Sequence, residues 1–428
     1  MSISHKGSLG SEAQQRVLTI GWCVSALSMD VASVRYRALL PLLALEAQSH
    51  RSQLFTPDDP VDLDTLDVVI LVKTFNLQSL ELAYACKARN IPVLIDLCDN
   101  VFVEGYGKDK LLRHFLDIAQ LATAMVVTTE PLAQFVRARL PALVIHVIPD
   151  GLLTTALADK GSRKIIEAEP VHPRAPVAPR NGLARRLDSL KETTLGALLH
   201  WLLSKATRRS QRRSRRDDSR PLLAASGQAQ PGAMKLLWFG NHGASYARFG
   251  MLDLLDIREA LETIAQEFAV ELIVVSSHQG KYDQYIAPMA IASRYLPWSN
   301  EIVEQCLAEA HVVLIPNSLD PFSLAKSANR TVHALTRGVP VVATRTPALM
   351  ALAGSIEMDG FLPGLRRYLG DPRAGDGDVA KARDLIDQHY GQTVIGTLWD
   401  DVLQAVTSRP APAAEPQPAH TLATELAF

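Results

Sequence analysis

Three things are scarce in this sequence, and each scarcity excludes something. Cysteine is the first: 428 residues hold four, at positions 23, 86, 98 and 306, with no CxxC pair and no metal-ligand spacing. That excludes a disulfide framework and reads as reduced thiols in a cytosolic protein. Long apolar runs are the second. No stretch of about 18 apolar residues occurs, so no spanning helix is expected. The opening MSISHKGSLGSEAQQ has no apolar core, so a secretory signal is not expected either. Net charge is the third. At −1 for the whole chain it implies no partner by itself, although it conceals one strongly basic stretch. No repeat of solenoid period is present.

What is there has the balance of a soluble globular enzyme, 47 % hydrophobic and 21 % charged. The length allows two domains plus extras. After a polar tail, 1–15, short apolar strands alternate with helices. Strands are predicted at 17–24 (VLTIGWCV), near 52–55, and at 67–73 (DVVILVK), 92–96 (PVLID), 125–128 and 144–148. Helices are predicted over 38–48, 77–89, 110–121 and 130–140, with Arg35 and Arg37 in the loop before the first of them. This alternation makes 16–154 one doubly wound α/β domain.

The pattern then breaks. Residues 155–232 hold the Pro-rich EAEPVHPRAPVAPR and an amphipathic segment with Leu183, Leu187, Leu190, Leu198, Trp201 and Leu202 on one face. Directly behind it come Lys205, Arg208, Arg209, Arg212, Arg213, Arg215, Arg216 and Arg220. This reads as an insertion or linker.

KLLWFG at 235–240 restarts the α/β alternation, and 233–384 forms a second such domain. A helix at 385–407 is expected to cross back to the first domain, and 408–428 is a Pro/Ala-rich tail. Within the second domain, 312–343 reads VVLIPNSLDPFSLAKSANRTVHALTRGVPVVA. A buried strand, a polar loop, a helix from Ser323 to Thr336, a closing Gly338 and a second buried strand make one βαβ unit. Its loop and first helical turn carry Ser323, Lys326, Ser327, Asn329 and Arg330. Such donors at a helix N-terminus beyond a strand's carboxyl end suit an anion, a diphosphate above all. Two α/β domains in tandem would set this unit facing a cleft.

Several stretches together carry a resemblance: WFGN (238–241), AHVVLIPN (310–317) and KSANRTVHALTRGVPVVAT (326–344) in the second half, and ASVRYRALLPL (32–42), DLCDN (96–100) and VIPDGL (147–152) in the first. In this order and spacing the chain resembles nucleotide-sugar glycosyltransferases of the GT-B fold, the group 1 or family 4-like enzymes. The resemblance implies two Rossmann-like doubly wound domains facing a cleft, with the basic, partly disordered 155–232 between them. It implies Lys326, Asn329, Arg330 and Arg248 at the donor diphosphate, and Asn241, Asn317, Asp320, Ser323 and His333 around the donor's nucleotide and sugar. Arg35 and Arg37 fall on the acceptor side. Asp99 stands as a general base or acceptor-orienting carboxylate, with a helix N-cap as the alternative.

Departures from the family pattern are equally visible. His333 occupies the position of the carboxylate that usually binds the ribose hydroxyls. Ala325 occupies that of an earlier glutamate, for which Asp320 is the candidate replacement. Ser25–Ser33 stands in place of a glycine-rich turn. No DxD follows a strand of the first domain, since DLCDN is DxxD, so transfer is expected to need no metal, with Lys326, Arg330 and Arg248 neutralising the leaving diphosphate. No cofactor is implied besides the nucleotide diphosphate sugar, which is the donor substrate. The expected activity is transfer of a sugar to a glycan or lipid-linked acceptor in bacterial surface polysaccharide synthesis, in the cytoplasm or peripherally on the inner face of the plasma membrane. An anionic membrane surface would be met by 183–220. Nucleic acid ranks lower as a partner, because no aromatic interleaving accompanies the basic run. The alternatives are a nucleotide-sugar epimerase on the same fold and an inactive glycosyltransferase-like scaffold.

Overall fold

A computed structural model of the chain describes residues 16–106, 109–168, 231–247 and 249–408. Two parallel sheets organise it. The first has six strands, in the order β2-β1-β3-β4-β5-β6: β1 Thr19–Val24, β2 Arg51–Phe55, β3 Val68–Val72, β4 Val93–Leu97, β5 Ala124–Val127 and β6 Ile145–Val147. The second has five, in the order β11-β10-β7-β8-β9: β7 Met234–Phe239, β8 Val270–Ser276, β9 Ser293–Pro297, β10 Val312–Ile315 and β11 Val341–Ala343. Every pairing in both sheets is parallel.

The strands read as unbroken apolar runs because both faces of each sheet are covered. In β3, Val68, Ile70 and Val72 point into one core and Val69 and Leu71 into another. In β7, Leu236 and Trp238 face one layer and Leu237 and Phe239 the opposite one. Strand order reverses between β1 and β3 in the first sheet and between β7 and β10 in the second. At such a reversal the connections leave in opposite directions and open a crevice at the strands' carboxyl ends.

Three local expectations need correction. The first helix, α1 (Leu40–Glu46), is preceded by a wide π-type turn over Val34–Leu39, so Arg35 and Arg37 are helical and not in a loop. Pro41 in the first turn of α1 brings no N–H to the ladder, and the Leu40 amide reaches back to the Arg35 carbonyl, five residues away. Residues 155–168 are the helix α5, following α2 (Leu77–Ala88), α3 (Asp109–Leu121) and α4 (Glu130–Arg139). Its Leu157 and Ile165 belong to the first sheet's core, so the α/β pattern runs on past 154. Finally, the helix expected from Ser323 begins only at Asn329. The Asp320 carboxylate takes the amides of Phe322 (2.8 Å) and Ser323 (3.2 Å) and closes a turn of its own. The first helical hydrogen bond runs from the Val332 amide to the Ala328 carbonyl. The helix Asn329–Thr336 is α8, after α6 (Arg258–Glu267) and α7 (Asn300–Glu309). It ends at Gly338, whose φ of 82° is the left-handed conformation glycine takes at no steric cost.

Three further helices follow among the described residues: α9 Phe361–Gly370, α10 Pro372–Tyr390 and α11 Gln392–Thr407. The last lies on the first sheet. Trp399 is fully buried and meets Trp22 of β1 edge to face, with ring centroids 5.3 Å apart. Beside them the His50 Nε2–H donates to Asp400 at 3.1 Å while its Nδ1 accepts the Leu18 amide. No helix among the described residues is long and apolar enough to cross a membrane. The amphipathic segment and basic run at 183–220 and the tail from 409 lie outside the described residues. Replacing Trp399 by Ala empties the middle of this contact. The expected cost is about 3–5 kcal/mol, read as a lower urea midpoint, with the loss largest among single α11 substitutions.

Candidate functional site

Both crevices open towards each other, and one loop of the second half bridges them. Residues 318–328, between β10 and α8, reach across to the first sheet's carboxyl ends. Ala325 is fully buried there, in the same core as Leu97, Val101 and Phe115. Its carbonyl accepts from the Thr129 hydroxyl at 3.0 Å, and the Pro321 carbonyl accepts from the Asn100 side chain at 3.3 Å. The Ser327 hydroxyl donates to Asp150, and Lys326 pairs with Asp99. Ala325, which stands where the family's earlier glutamate would, is here an anchor.

An inner cavity of about 340 Å³ lies beside this bridge. Lys73, Asp99 and Tyr106 line it from the first half, and Tyr246, Lys326 and Arg330 from the second. Asp99 takes the ammonium groups of both Lys73 and Lys326, and the Tyr106 hydroxyl stands 3.4 Å away. Burial would push the Asp99 carboxyl up, but Lys326 and Lys73 outweigh it and hold it far below the usual carboxylate range. In this state Asp99 does not accept a proton near neutral pH. It is neither a free base nor a helix N-cap. Burial lowers the Lys73 ammonium, and Cys98, Asp99 and Tyr106 more than reverse this. The Cys98 thiol is pushed up to about 12 by burial, with Lys73 opposing, and stays protonated. The Lys326 ammonium also lies 4.2 Å from the Phe322 ring centroid and 5.5 Å from that of Phe249.

Arg330 sits in the first turn of α8, at the reversal between β7 and β10. Its guanidinium donates to the Phe239 carbonyl and to Asn317 Oδ1, both at 3.2 Å, tying the carboxyl ends of the two strands together. Gly240 leaves it room: a Cβ there would stand 3.0 Å from Nη1. Asn317 is thus spent on Arg330. Asp320 is spent on its own loop, taking the Ser318 and Ser323 hydroxyls besides the two amides. Asp320 itself is not among the residues lining the inner cavity, while its partners Phe322 and Ser323 are, so it shapes the wall from behind. Asn317, Ser323, Asn329 and Asn241 line the inner cavity. Arg248 lies outside the described residues.

The two expected acceptor-side arginines part company. Arg37 is 1 % exposed and bidentate to Asp96, with 2.6 and 3.0 Å contacts, and adds the carbonyls of Ile148 and Pro149 and the Asp150 carboxylate. Asp96 outweighs the burial that would lower Arg37, so the guanidinium stays charged. It is a buried strut that also borders the inner cavity. Arg35 instead stacks near Trp298, 5.6 Å from the ring centroid, on the wall of an outer cavity of about 920 Å³. This cavity shares Ala32, Tyr36, Asn241, Asn329 and Arg330 with the inner one, so the two form one continuous cleft.

His333 faces the outer cavity one turn beyond Asn329. Its Nε2 lies 2.8 Å from Glu304 of α7, and Arg337 takes the other Glu304 oxygen at 2.6 Å. Burial would raise the Glu304 carboxyl, but His333 and Arg337 together pull it down to about 2. Position 333 therefore carries no acid, yet space supplies one from the neighbouring helix. Glu304, Lys73 and Asp150 escape sequence reading, although Lys73 directly follows the run VVILV and Asp150 stands in VIPDGL.

No protein-family model matches the sequence, and no curated protein matches it. Solved structures do. The structure of Anabaena HepE in complex with UDP and glucose superposes with a TM-score of 0.54 at 13 % identity, covering 91 % of this chain and all of HepE. HepE in complex with UDP-glucose gives 0.52 at 12 % identity over the same shares. The chain has the GT-B fold. At these identities the likeness concerns the backbone: two Rossmann-like domains with a cleft between the carboxyl ends of their sheets, here in their GT-B arrangement.

The Glu304 depression has a sign that can be checked. A carboxyl held below its unfolded value stabilises the fold above that value and loses the contribution as pH falls. Wild-type protein is expected to lose stability between about pH 4.5 and pH 2 in a step that Glu304→Gln lacks. Thermal midpoints across this range check it, and the step is modest because Glu304 is 40 % exposed.

Proposed function

We propose that the protein is a glycosyltransferase that moves a sugar from a nucleotide diphosphate sugar to a glycan or lipid-linked acceptor. One observation carries the reading. Lys73, Lys326 and Arg330 converge with the α8 N-terminus on one cleft, where the strand order of both sheets reverses. Transfer breaks the bond between the sugar's anomeric carbon and the phosphate oxygen, and the electron pair leaves with the nucleoside diphosphate. A new bond forms to the acceptor oxygen, whose proton is released. The leaving group gains negative charge, so fixed cations at its oxygens lower the barrier. Lys326 and Arg330, with the α8 N-terminus, supply that charge, while Lys73 answers Asp99 beside them. The outer cavity, walled by Trp298, Arg35, His333 and Glu304, is large enough for a nucleoside.

Calorimetric titration with uridine, guanosine, adenosine and thymidine diphosphates tests the donor half. At least one is expected to bind, and Lys326→Ala and Arg330→Ala each to weaken it by about tenfold or more. Binding of none would favour the inactive scaffold. Given the matching nucleotide sugar and an acceptor extract, release of nucleoside diphosphate marks a transferase, whereas an altered sugar still on its nucleotide marks an epimerase. Two carboxylates on the inner wall, Asp99 and Asp150, are the feature that favours this second reading.

The setting we propose is bacterial surface polysaccharide synthesis, with the protein held peripherally on the cytoplasmic face by 183–220. Leu and Trp at helical spacing beside eight basic residues support it. Co-sedimentation with vesicles containing anionic lipid is expected for the full chain and should vanish when 183–220 is deleted or at high salt.

A further inference from the structure

The cation best placed for a diphosphate already has a partner, a carboxylate from the other half. Asp99 holds Lys326 and Lys73 at once, and Asp150 holds the next residue, Ser327. Two acids of the first half thus fill two adjacent donors of the second half's anion site. Lys73 has a φ of 48°, a left-handed conformation unusual for a residue with a side chain, at the end of β3. Such strain persists only where the surroundings over-determine it. The Asp99 carboxylate has this second partner from its own half.

We propose that Asp99 is an internal anion that stands in for the donor's diphosphate, sharing Lys326 with it, so that donor binding draws Lys326 away and leaves Asp99 paired with Lys73 alone. The inference rests on the transferase reading for its second consequence only. With one cation removed, Asp99 regains the capacity to take the proton of an acceptor hydroxyl in the inner cavity. That proton passes from the acceptor oxygen to the carboxylate as the bond to the sugar forms, and then to solvent. The donor therefore arms the base. An acceptor arriving first meets a carboxylate whose charge is already answered twice, which imposes donor-first binding.

The coupling is measurable without knowing the sugar. Inorganic pyrophosphate is titrated calorimetrically into wild type, Asp99→Asn, Lys326→Ala and the double variant. Asp99→Asn is expected to bind about tenfold tighter than wild type, because Lys326 no longer has to be taken from a competitor. Lys326→Ala is expected to bind more weakly, and in that background the Asp99 substitution should gain much less, since only Lys73 is left for it to release. An equal gain from Asp99→Asn with and without Lys326 would mean simple relief of repulsion and would overturn the proposal. So would an unchanged affinity of Asp99→Asn, or no binding to any of the four. Asp99→Ala, run in parallel, is expected to give the same pattern and guards against a folding defect peculiar to the amide. If pyrophosphate shows the cycle but no nucleoside diphosphate binds wild type, the transferase reading falls and the shared lysine stands. If nucleoside diphosphates bind and the cycle is additive, the shared lysine alone falls.

Discussion

The cleft depends on how a carboxylate and an ammonium from opposite halves meet at Asp99 and Lys326. A buried charge is tolerated only when it is answered, and here each half is incomplete without the other. Lys73 completes the group from the first sheet, and Phe322 and Phe249 flank Lys326 from the second. Around this centre the loop 318–328 can be neither helix nor free coil. Ala325 has to reach an apolar core, Ser327 a carboxylate, and the Pro321 and Ala325 carbonyls their donors. The loop's shape is the sum of these demands.

That shape decides what the cleft can offer. With Asn329 as the first helical residue, the amides of the α8 N-terminus and the Arg330 guanidinium lie on one side, and Lys326 comes from the loop before it. Arg330 is fixed by carbonyl and amide oxygens and makes no carboxylate hydrogen bond, with Asp253 answering its charge only at longer range. Arg37 has the opposite arrangement, with two carboxylates and two carbonyls consuming its donors. Residue type alone does not separate a ligand-binding arginine from a strut. The chemistry of the partners does.

Much of the fold was legible in the sequence, because a parallel sheet covered on both faces writes itself as short apolar runs such as VVILV and VLIDL. The βαβ unit of 312–343 and the GT-B resemblance came from the same signal together with the order of the motifs. The helix start at Ser323 did not survive, since Asp320 takes its own loop amides, and nothing in the spacing of Leu324, Ala328 and Val332 announces this. The site was half legible. Asn329 and Arg330 follow from their place in the βαβ unit. The engagement of Lys326 with Asp99 spans 227 residues, and Glu304 with His333 joins two helices 29 residues apart. Such pairings are fixed by packing, and a linear pattern holds no record of them. The basic run was fully legible as composition and belongs to the proposed membrane role, not to the described fold.

One feature of the architecture bears on how the chain comes into being. α11, near the end of the described chain, covers β1, at its beginning, through Trp399 on Trp22 and His50 on Asp400. Synthesis runs from the N-terminus, so the first six-stranded sheet leaves the ribosome with α1 and α5 to cover that face but the patch around Trp22 bare. It stays so until more than half of the chain has followed. The first half is therefore a late-finishing partner to the second, exposed to misassembly or chaperone capture for the whole interval. The order of manufacture and the order of completion run in opposite directions.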